Sequence, residues 1–89
     1  MPTYVKDPDA VLDYGFDWSA WLAAGETIAT STWTVPVGLT NESESNTDTL
    51  SVVWLSGGTD RQTYQVVNHI VTSQGREDDR TLKIKIKDR

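Results

Sequence analysis

The chain has 89 residues, which suits one domain, and 37% of them are hydrophobic, a low share for a globular protein. It contains no cysteine, which excludes disulfides and thiolate metal sites, and its formal charge of −5 disfavours a dedicated nucleic-acid binder. Residues 1–60 carry nine acidic residues and one basic residue, whereas residues 61–89 carry seven basic and four acidic residues. This asymmetry predicts charge pairing, within the fold or between copies.

The first ten residues, MPTYVKDPDA, contain two prolines and mixed charges without any periodicity. They predict an extended N-terminal arm, residues 1–10, ahead of one domain over residues 11–89. The arm has neither the basic start nor the apolar run of a signal peptide, and no apolar run in the chain approaches the roughly 20 residues that span a membrane. We expect Tyr4 and Val5 of the arm to lie along a neighbouring subunit.

Strict alternation predicts the first strand over residues 12–18. One face carries Asp13 and Asp17 and is expected to point outward. The other face is apolar and is assigned to the core: Leu12, Tyr14, Phe16 and Trp18.

The spacing of Trp18, Trp21 and Leu22 predicts a single helical turn after this strand. Residues 28–35, IATSTWTV, are rich in β-branched residues and predict a second strand. The phase of that strand is ambiguous, so that Trp33 is assigned either to the core or to a binding surface.

A further short strand is expected to begin at Leu39, and the polar stretch NESESNTD, residues 41–48, is predicted to be a loop. Residues 50–55, LSVVWL, form an apolar run of strand length that the following glycine pair stops. Its alternate residues Leu50, Val52 and Trp54 are assigned to the core.

Residues 62–73 and 80–87 predict a long antiparallel hairpin that turns at Gly75. In its first strand, Val67 and Val71 fall on the outer face as an apolar strip that a soluble monomer rarely exposes. The second strand alternates between an inward set and an outward set, which are Leu82, Ile84 and Ile86, and Lys83, Lys85 and Lys87. Together the elements predict an all-β fold, an antiparallel β-sandwich of about six or seven strands, with a small closed barrel as the alternative.

Nothing in the sequence predicts catalysis. His69, the only histidine, is interpreted as a half-exposed strand residue, and Asp13 and Asp17 lie about 13 Å apart at strand rise, too far for a shared proton or one metal ion. The loop acids match no calcium-loop motif, and no glycine-rich loop precedes a helix. We therefore expect no enzyme, no metal and no cofactor.

The segment GGTDRQTYQVVNHIVTSQGR, followed by TLKIKIKD, resembles the last two strands of immunoglobulin-like and fibronectin type III-like modules. The resemblance implies an immunoglobulin-like sandwich, with the ring of Tyr64 in the core and its hydroxyl bonded to nearby backbone. In such modules the first and last strands often lie side by side. We therefore expect the outward row of Lys83, Lys85 and Lys87 to face Asp13 and Asp17, within one copy or between copies. Two alternatives remain for these lysines. They also suit an edge strand that is protected from unwanted pairing by its charge, and they suit a nucleic-acid site less well.

Three segments, KDPDAVLDYGFDWSAWL, GETIATSTWTV and VVWLSGGTDRQTYQVVNHIVTSQGREDDRTLKIKI, resemble small structural proteins of tailed bacteriophages and prophages, often described as fibre-tail adaptor proteins. The resemblance implies a non-enzymatic virion protein made in the bacterial host cytoplasm, an adaptor or a capsid decoration module. Its expected partners are other virion proteins of the capsid, neck, tail or fibre, in a homo-oligomer or symmetric array. The likeness is carried by Lys6-Asp7-Pro8, by Asp17-Trp18 with Trp21, by residues 54–58 and by Gly75-Arg76.

The alternative from another class is a carbohydrate- or host-surface-binding module. Trp33, Trp54 and the NESESNTD stretch would supply its flat aromatic ring and polar groups. The residues predicted to contact a partner are Tyr4, Val5, Asp13, Asp17, Trp33, Val67, Val71, Lys83, Lys85 and Lys87.

Overall fold

The computed structural model describes residues 2–88, so that Met1 of the predicted arm and Arg89 of the predicted domain lie outside the described residues. Among the described residues, no helix is long and apolar enough to cross a membrane. The strands are β1 Thr3–Lys6, β2 Leu12–Asp17, β3 Ile28–Thr34, β4 Leu39–Asn46, β5 Leu50–Gly57, β6 Thr63–Thr72 and β7 Glu77–Ile86.

These strands form two sheets that pack face to face. The four-stranded sheet has the order β1-β7-β6-β3, and the three-stranded sheet has the order β2-β5-β4. Neighbouring strands are antiparallel except β1 and β7, which are parallel. The prediction of an all-β sandwich is confirmed, in a form consistent with an immunoglobulin-like fold, and the closed barrel is wrong because the two sheets remain separate.

The predicted C-terminal hairpin forms the centre of the four-stranded sheet. β6 and β7 pair antiparallel from Thr63 opposite Lys85 to Val71 opposite Glu77. The turn at Gly75 has a φ of 81°, a left-handed value that glycine adopts without strain. The inward residues are fully buried as predicted: Val66, Ile70, Leu82, Ile84 and Ile86.

The ambiguous phase of β3 is explained by a register shift against β6 between Ile28 and Thr30. Strict alternation would place Ile28 and Trp33, five positions apart, on opposite faces of the sheet. The bulge resets the phase, so that both side chains are buried. Trp33 is therefore a core residue.

The core assignment of Leu50, Val52 and Trp54 in β5 is wrong, because the opposite face of β5 is buried. Its inward residues are Ser51, Val53 and Leu55. Both phases of LSVVWL are apolar, so hydrophobicity does not choose between them. Ser51 is accepted in the core because its hydroxyl donates to the Oδ1 of Asn68 at 2.7 Å.

Asn68 of β6 is fully buried and connects the sheets by hydrogen bonds. Its Oδ1 also accepts from the indole nitrogen of Trp18 at 3.1 Å. Its Nδ2 donates to the hydroxyl of Ser31 at 2.9 Å and to the carbonyl of Thr32 at 3.0 Å. Because both ends of the amide have two partners, its burial leaves no polar atom unsatisfied.

The first predicted strand is correct in type, but its core assignment fails at one end. Tyr14 and Trp18 are buried, and Phe16 is half-buried, whereas Leu12 is exposed at the start of β2, which is an edge strand. The helical turn is confirmed, because the backbone N–H of Leu22 donates to the carbonyl of Trp18 at 3.1 Å.

The NESESNTD stretch was predicted as a loop, but residues 41–46 of it belong to strand β4. β4 pairs with β5 from Leu39 opposite Gly57 to Asn46 opposite Ser51, with a bulge between Asn41 and Ser43. The strand is a sheet edge with mostly exposed side chains, so its backbone pairing, not an apolar face, holds it in place. Acidic side chains on such an edge disfavour unwanted pairing.

The predicted arm also differs from expectation, because residues 3–6 form β1 inside the four-stranded sheet. β1 pairs with β7 from Thr3 opposite Lys83 to Lys6 opposite Ile86. Lys6 is buried, and its Nζ donates to the carbonyls of Asp7 at 2.9 Å and Gly57 at 2.8 Å. These bonds tie the end of β1 to the end of β5.

Candidate protein-binding surfaces

The shape of the domain separates two broad faces from two ends. The domain measures 43 × 22 × 18 Å. A ten-residue strand such as β6 spans about 33 Å, more than either short dimension, so the strands run along the long axis. The corner end carries the β3–β4 turn and the glycine pair at the end of β5, and the loop end carries residues 18–27 and the β6–β7 turn.

The outer side of the four-stranded sheet collects most of the predicted partner residues. The strand register places Val5 of β1 beside Lys85 of β7, and Gln65 of β6 beside Lys83. Within residues 2–88 the lysine ammonium groups of this sheet form no ion pair. We call this surface the lysine face and define it as Val5, Val67, Val71, Lys83 and Lys85, with the exposed Lys87 just beyond the end of β7.

The outer side of the three-stranded sheet carries an apolar stripe beside two aspartates. Asp13 of β2 lies opposite Trp54, and Asp17 lies opposite Leu50. Trp54 is 43% exposed and Leu50 is 41% exposed. We call this surface the stripe face and define it as Asp13, Asp17, Leu50, Val52 and Trp54. Sequence reasoning missed its apolar part because it assigned these residues to the core.

The two charged rows cannot pair within one copy. Asp13 and Asp17 lie on the outer side of one sheet, and Lys83 and Lys85 lie on the outer side of the other sheet. The within-copy version of the predicted Asp–Lys contact is therefore wrong. Its physical reason is that β1, not β2, is the strand beside β7.

Trp33 and Tyr4, both predicted to contact a partner, lie away from these faces. Trp33 is 7% exposed and stacks on Phe16 with ring centroids 5.8 Å apart, so that it offers little surface to a protein or a sugar. The Tyr4 ring lies 5.0 Å from the Tyr14 ring at the inner side of β1, opposite to Val5. The carbohydrate-binding alternative thereby keeps only Trp54 as an exposed indole.

His69 is half-exposed on the outer side of β6, as predicted, and is held by two acids of β7. Its Nδ1 lies 2.6 Å from Asp79 Oδ1 and its Nε2 lies 2.9 Å from Glu77 Oε1. The hydrogen bonds to Asp79 and then to Glu77 raise the pKa of His69. Over residues 2–88, no group of three or more acidic or histidine side chains is arranged to hold a metal ion.

The corner end presents a rigid turn with a fully exposed apolar side chain, Val37 at 99% exposure. The carbonyl of Gly38 accepts from the N–H of Gly58 at 2.8 Å. A Cβ at Gly38, whose φ is +110°, would lie 2.7 Å from the ring of Tyr64, so this turn packs directly on the ring. The hydroxyl of Tyr64 accepts from the N–H of Thr59 at 3.1 Å, which confirms the implied corner bond.

A hollow of about 450 Å³ lies at the same end of the domain. The backbone N–H of Arg61 donates to the carbonyl of Ile86 at 2.9 Å, and this bond joins the two segments that line the hollow. The side chain of Arg61 is 91% exposed. The lining is rich in charges of both signs: Asp60, Arg61, Lys85, Ile86, Lys87 and Asp88.

The motifs that carry the phage resemblance meet one another inside the fold. Lys6 of the first motif binds the carbonyl of Gly57 of the third. The guanidinium of Arg76, in the last motif, lies 4.1 Å from the ring centroid of Trp21, in the second. These residues therefore specify how distant segments join, and they do not form a common surface.

The amino-acid sequence matches a family of phage proteins. The family model Gp77, described as "Podophage GP4 fiber-tail adaptor protein gp77", matches residues 6–85. The chain belongs to this fibre-tail adaptor family. The match begins at the last residue of β1 and ends inside β7, so that it spans both sheets.

Membership in the fibre-tail adaptor family makes the chain a structural protein of the phage virion. The family is structural and non-catalytic. A comparison with curated proteins gave no match.

Proposed function

We propose that this family member joins a fibre protein to a tail protein in the virion, through protein–protein contacts and without turnover. The description of the family supports this role. The shape supports it as well, because an elongated domain with two dissimilar ends can hold two partners without overlap. The observation that carries the proposal is the exposed Val37 on its rigid turn at the corner end.

The corner end is built for docking because its apolar residue is already fixed in place. The turn that presents Val37 is held by the hydrogen bond from Gly58 to Gly38 and by packing against Tyr64. Binding through a preorganised turn loses little conformational entropy, so most of the gain from burying the valine remains. The charged hollow beside Arg61 offers a second point of contact that selects for a partner with matching charges.

The loop end supplies the second docking site that an adaptor needs. Residues 18–27 are anchored there by the ion pair between Glu26 and Arg76, and Trp21 and Leu22 are only partly buried. This segment lies at the opposite end of the 43 Å axis from Val37. A tail protein and a fibre protein bound at the two ends are thus kept apart by the length of the sandwich.

The test is a binding measurement with the tail and fibre proteins of the same phage. With the chain immobilised at low density, we expect it to bind both proteins, and we expect Val37→Asp to weaken binding to one of them at least tenfold. The matched control is Leu50→Asp, which makes the same chemical change at an exposed residue of the stripe face, and it should leave both affinities within about twofold.

Two results would overturn the proposal. If the chain bound neither protein but bound the capsid exterior, it would be a decoration module and not an adaptor. If Val37→Asp and Leu50→Asp had equal effects on both partners, the corner end would not be a docking site.

A further inference from the structure

We propose that the stripe face of one copy binds the lysine face of the next copy, so that copies of the chain associate side by side in a head-to-tail series. The occupant of each face is thus a second copy of this chain. The inference does not depend on the fibre-tail role, because Val37 at the corner end and Trp21 at the loop end lie outside both faces, although Lys85 also lines the hollow at the corner end.

The charges of the two faces are complementary, and the aspartate row and the lysine row cannot meet within one molecule. Lys83 and Lys85 point away from one side of the sandwich, and Asp13 and Asp17 point away from the other side. Lys83 and Lys85 are two positions apart on β7, about 7 Å at strand rise, whereas Asp13 and Asp17 are four positions apart on β2, about 13 Å. The two rows therefore match in the sign of their charge and not in their spacing, so that the lysine side chains must bend toward the aspartates.

Each face has apolar side chains near its charged row. On the stripe face, the aspartates of β2 border Leu50 and Trp54 of β5. On the lysine face, Val5 of β1 lies beside Lys85, and Val67 of β6 lies opposite Thr81, two positions along β7 from Lys83. Exposed leucine and tryptophan are unusual on a soluble monomer, and these valines offer them an apolar surface to cover.

The acids of the lysine face do not oppose this contact. Glu77 and Asp79 are the acidic side chains on that side of β7, and both are bound to His69. They also lie at the opposite end of β7 from Lys85. Asp60 and Asp88 border Lys85 and Lys87 at the corner end, where Arg61 adds a further base, so this half of the face is positive on balance.

The faces are large enough for a specific contact. Each is bounded by the 43 Å and 22 Å dimensions of the domain, which accommodates the roughly 800 Å² per partner of a standard interface. Because two different faces meet, the contact is heterologous and generates an open series or a closed ring instead of an isolated dimer.

The experiment is sedimentation velocity of the full chain over a range of concentrations and salt. We expect species larger than a dimer at low salt, and at least a tenfold weaker association for Lys83→Glu and for Asp13→Lys. The matched controls are Arg61→Glu at the corner end and Asp48→Lys at the loop end, which make the same charge reversals off both faces and should leave association unchanged.

Mixing the two face variants gives the sharper test. Each variant keeps one native face, so Lys83→Glu and Asp13→Lys together can form a native contact through the unmodified faces and a contact between the two reversed ones. We therefore expect the mixture to regain association that neither variant shows alone.

The inference is overturned if the chain is monomeric at every concentration, or if the controls weaken association as much as the face variants. It is also overturned if association stops at a dimer that neither face variant affects. A chain that binds tail and fibre proteins but stays monomeric would contradict only this inference, whereas a chain that assembles but binds neither would contradict only the adaptor role.

Discussion

Arg76 closes the loop end of the domain by binding the carboxylate of Glu26, which lies 50 residues earlier. Its Nε donates to Glu26 Oε2 at 2.9 Å, and a second guanidinium N–H donates to Oε1. The carboxylate is fully buried, and it also accepts from the hydroxyl of Thr72 at 2.6 Å and from the N–H of Ala23 at 2.9 Å. These donors, Arg76 foremost, lower the pKa of Glu26 to about 2.

The depressed pKa predicts an acid-dependent loss of stability. A carboxyl with a lower pKa in the folded state stabilises the fold above its unfolded pKa of 4.5, and this contribution is lost as the pH falls toward about 2. We expect the difference in unfolding free energy between the wild type and Glu26→Gln to be largest at pH 6 and to shrink at pH 4 and again at pH 2.5.

Urea denaturation followed by tryptophan fluorescence measures this difference at each pH. Glu44→Gln, at an exposed residue of β4, is the control and should change the unfolding free energy by less than about 0.5 kcal/mol throughout. A difference between the wild type and Glu26→Gln that is the same at pH 6 and pH 2.5 would show that the ion pair with Arg76 does not perturb the carboxyl.

Removing the amide of Asn68 should destabilise the whole sandwich. Asn68→Leu leaves the buried hydroxyl of Ser51 without its acceptor and the indole N–H of Trp18 with only its 3.3 Å bond to Ser51 Oγ, and an unsatisfied buried donor costs about 1–3 kcal/mol. We expect a loss of about 2–4 kcal/mol in unfolding free energy, measured by urea denaturation. Gln65→Leu, on the exposed side of the same strand, makes a similar change outside the core and should stay within about 0.5 kcal/mol.

His69 should titrate above the ordinary histidine range because its acidic partners favour the protonated ring. The folded pKa is raised above 6.5, so its contribution to stability is fully present below pH 6.5 and is lost as the pH rises through the folded value. As His69 is the only histidine, its ring protons give a single NMR titration curve. We expect Asp79→Asn to lower its pKa more than Glu77→Gln does, and a wild-type pKa at or below 6.5 would refute the contact geometry.

The corner bond of Tyr64 should contribute modestly to stability. Tyr64→Phe removes the acceptor of the N–H of Thr59, which lies in an exposed turn where water can replace it. The expected loss is about 0.5–1 kcal/mol by urea denaturation. Tyr4→Phe is the control, since the Tyr4 hydroxyl makes no hydrogen bond within residues 2–88, and a loss equal to that of Tyr64→Phe would contradict the corner assignment.

The sequence predicts the C-terminal hairpin correctly because alternation in residues 82–87 admits one phase only, with isoleucines inside and lysines outside. The phase of β5 is not readable in this way, because both sides of LSVVWL are apolar. The hydrogen bond from Ser51 to Asn68, residues 17 positions apart, determines which face of β5 is buried. A long-range bond of this kind leaves no local signal in the sequence.

A similar explanation applies to β1, which was missed, and to β4, whose predicted start at Leu39 is confirmed but whose extent over residues 41–46 was missed. Residues 3–6 and residues 41–46 have no continuous apolar face of their own. The first segment is held by backbone pairing to β7 and the second by backbone pairing to β5. The two candidate surfaces differ in how far the sequence predicts them. The lysines of β7 alternate with apolar residues, so that the sequence alone places them on an outer face. The exposure of Leu50 and Trp54 becomes evident only once Ser51 is placed inside.

A reconstruction of the intact phage particle tests the adaptor role most directly. We predict density for this domain at the junction of tail and fibre, with Val37 at the corner end buried against one of these proteins and the segment around Trp21 at the loop end against the other. Density on the capsid exterior with none at the tail–fibre junction would contradict the account.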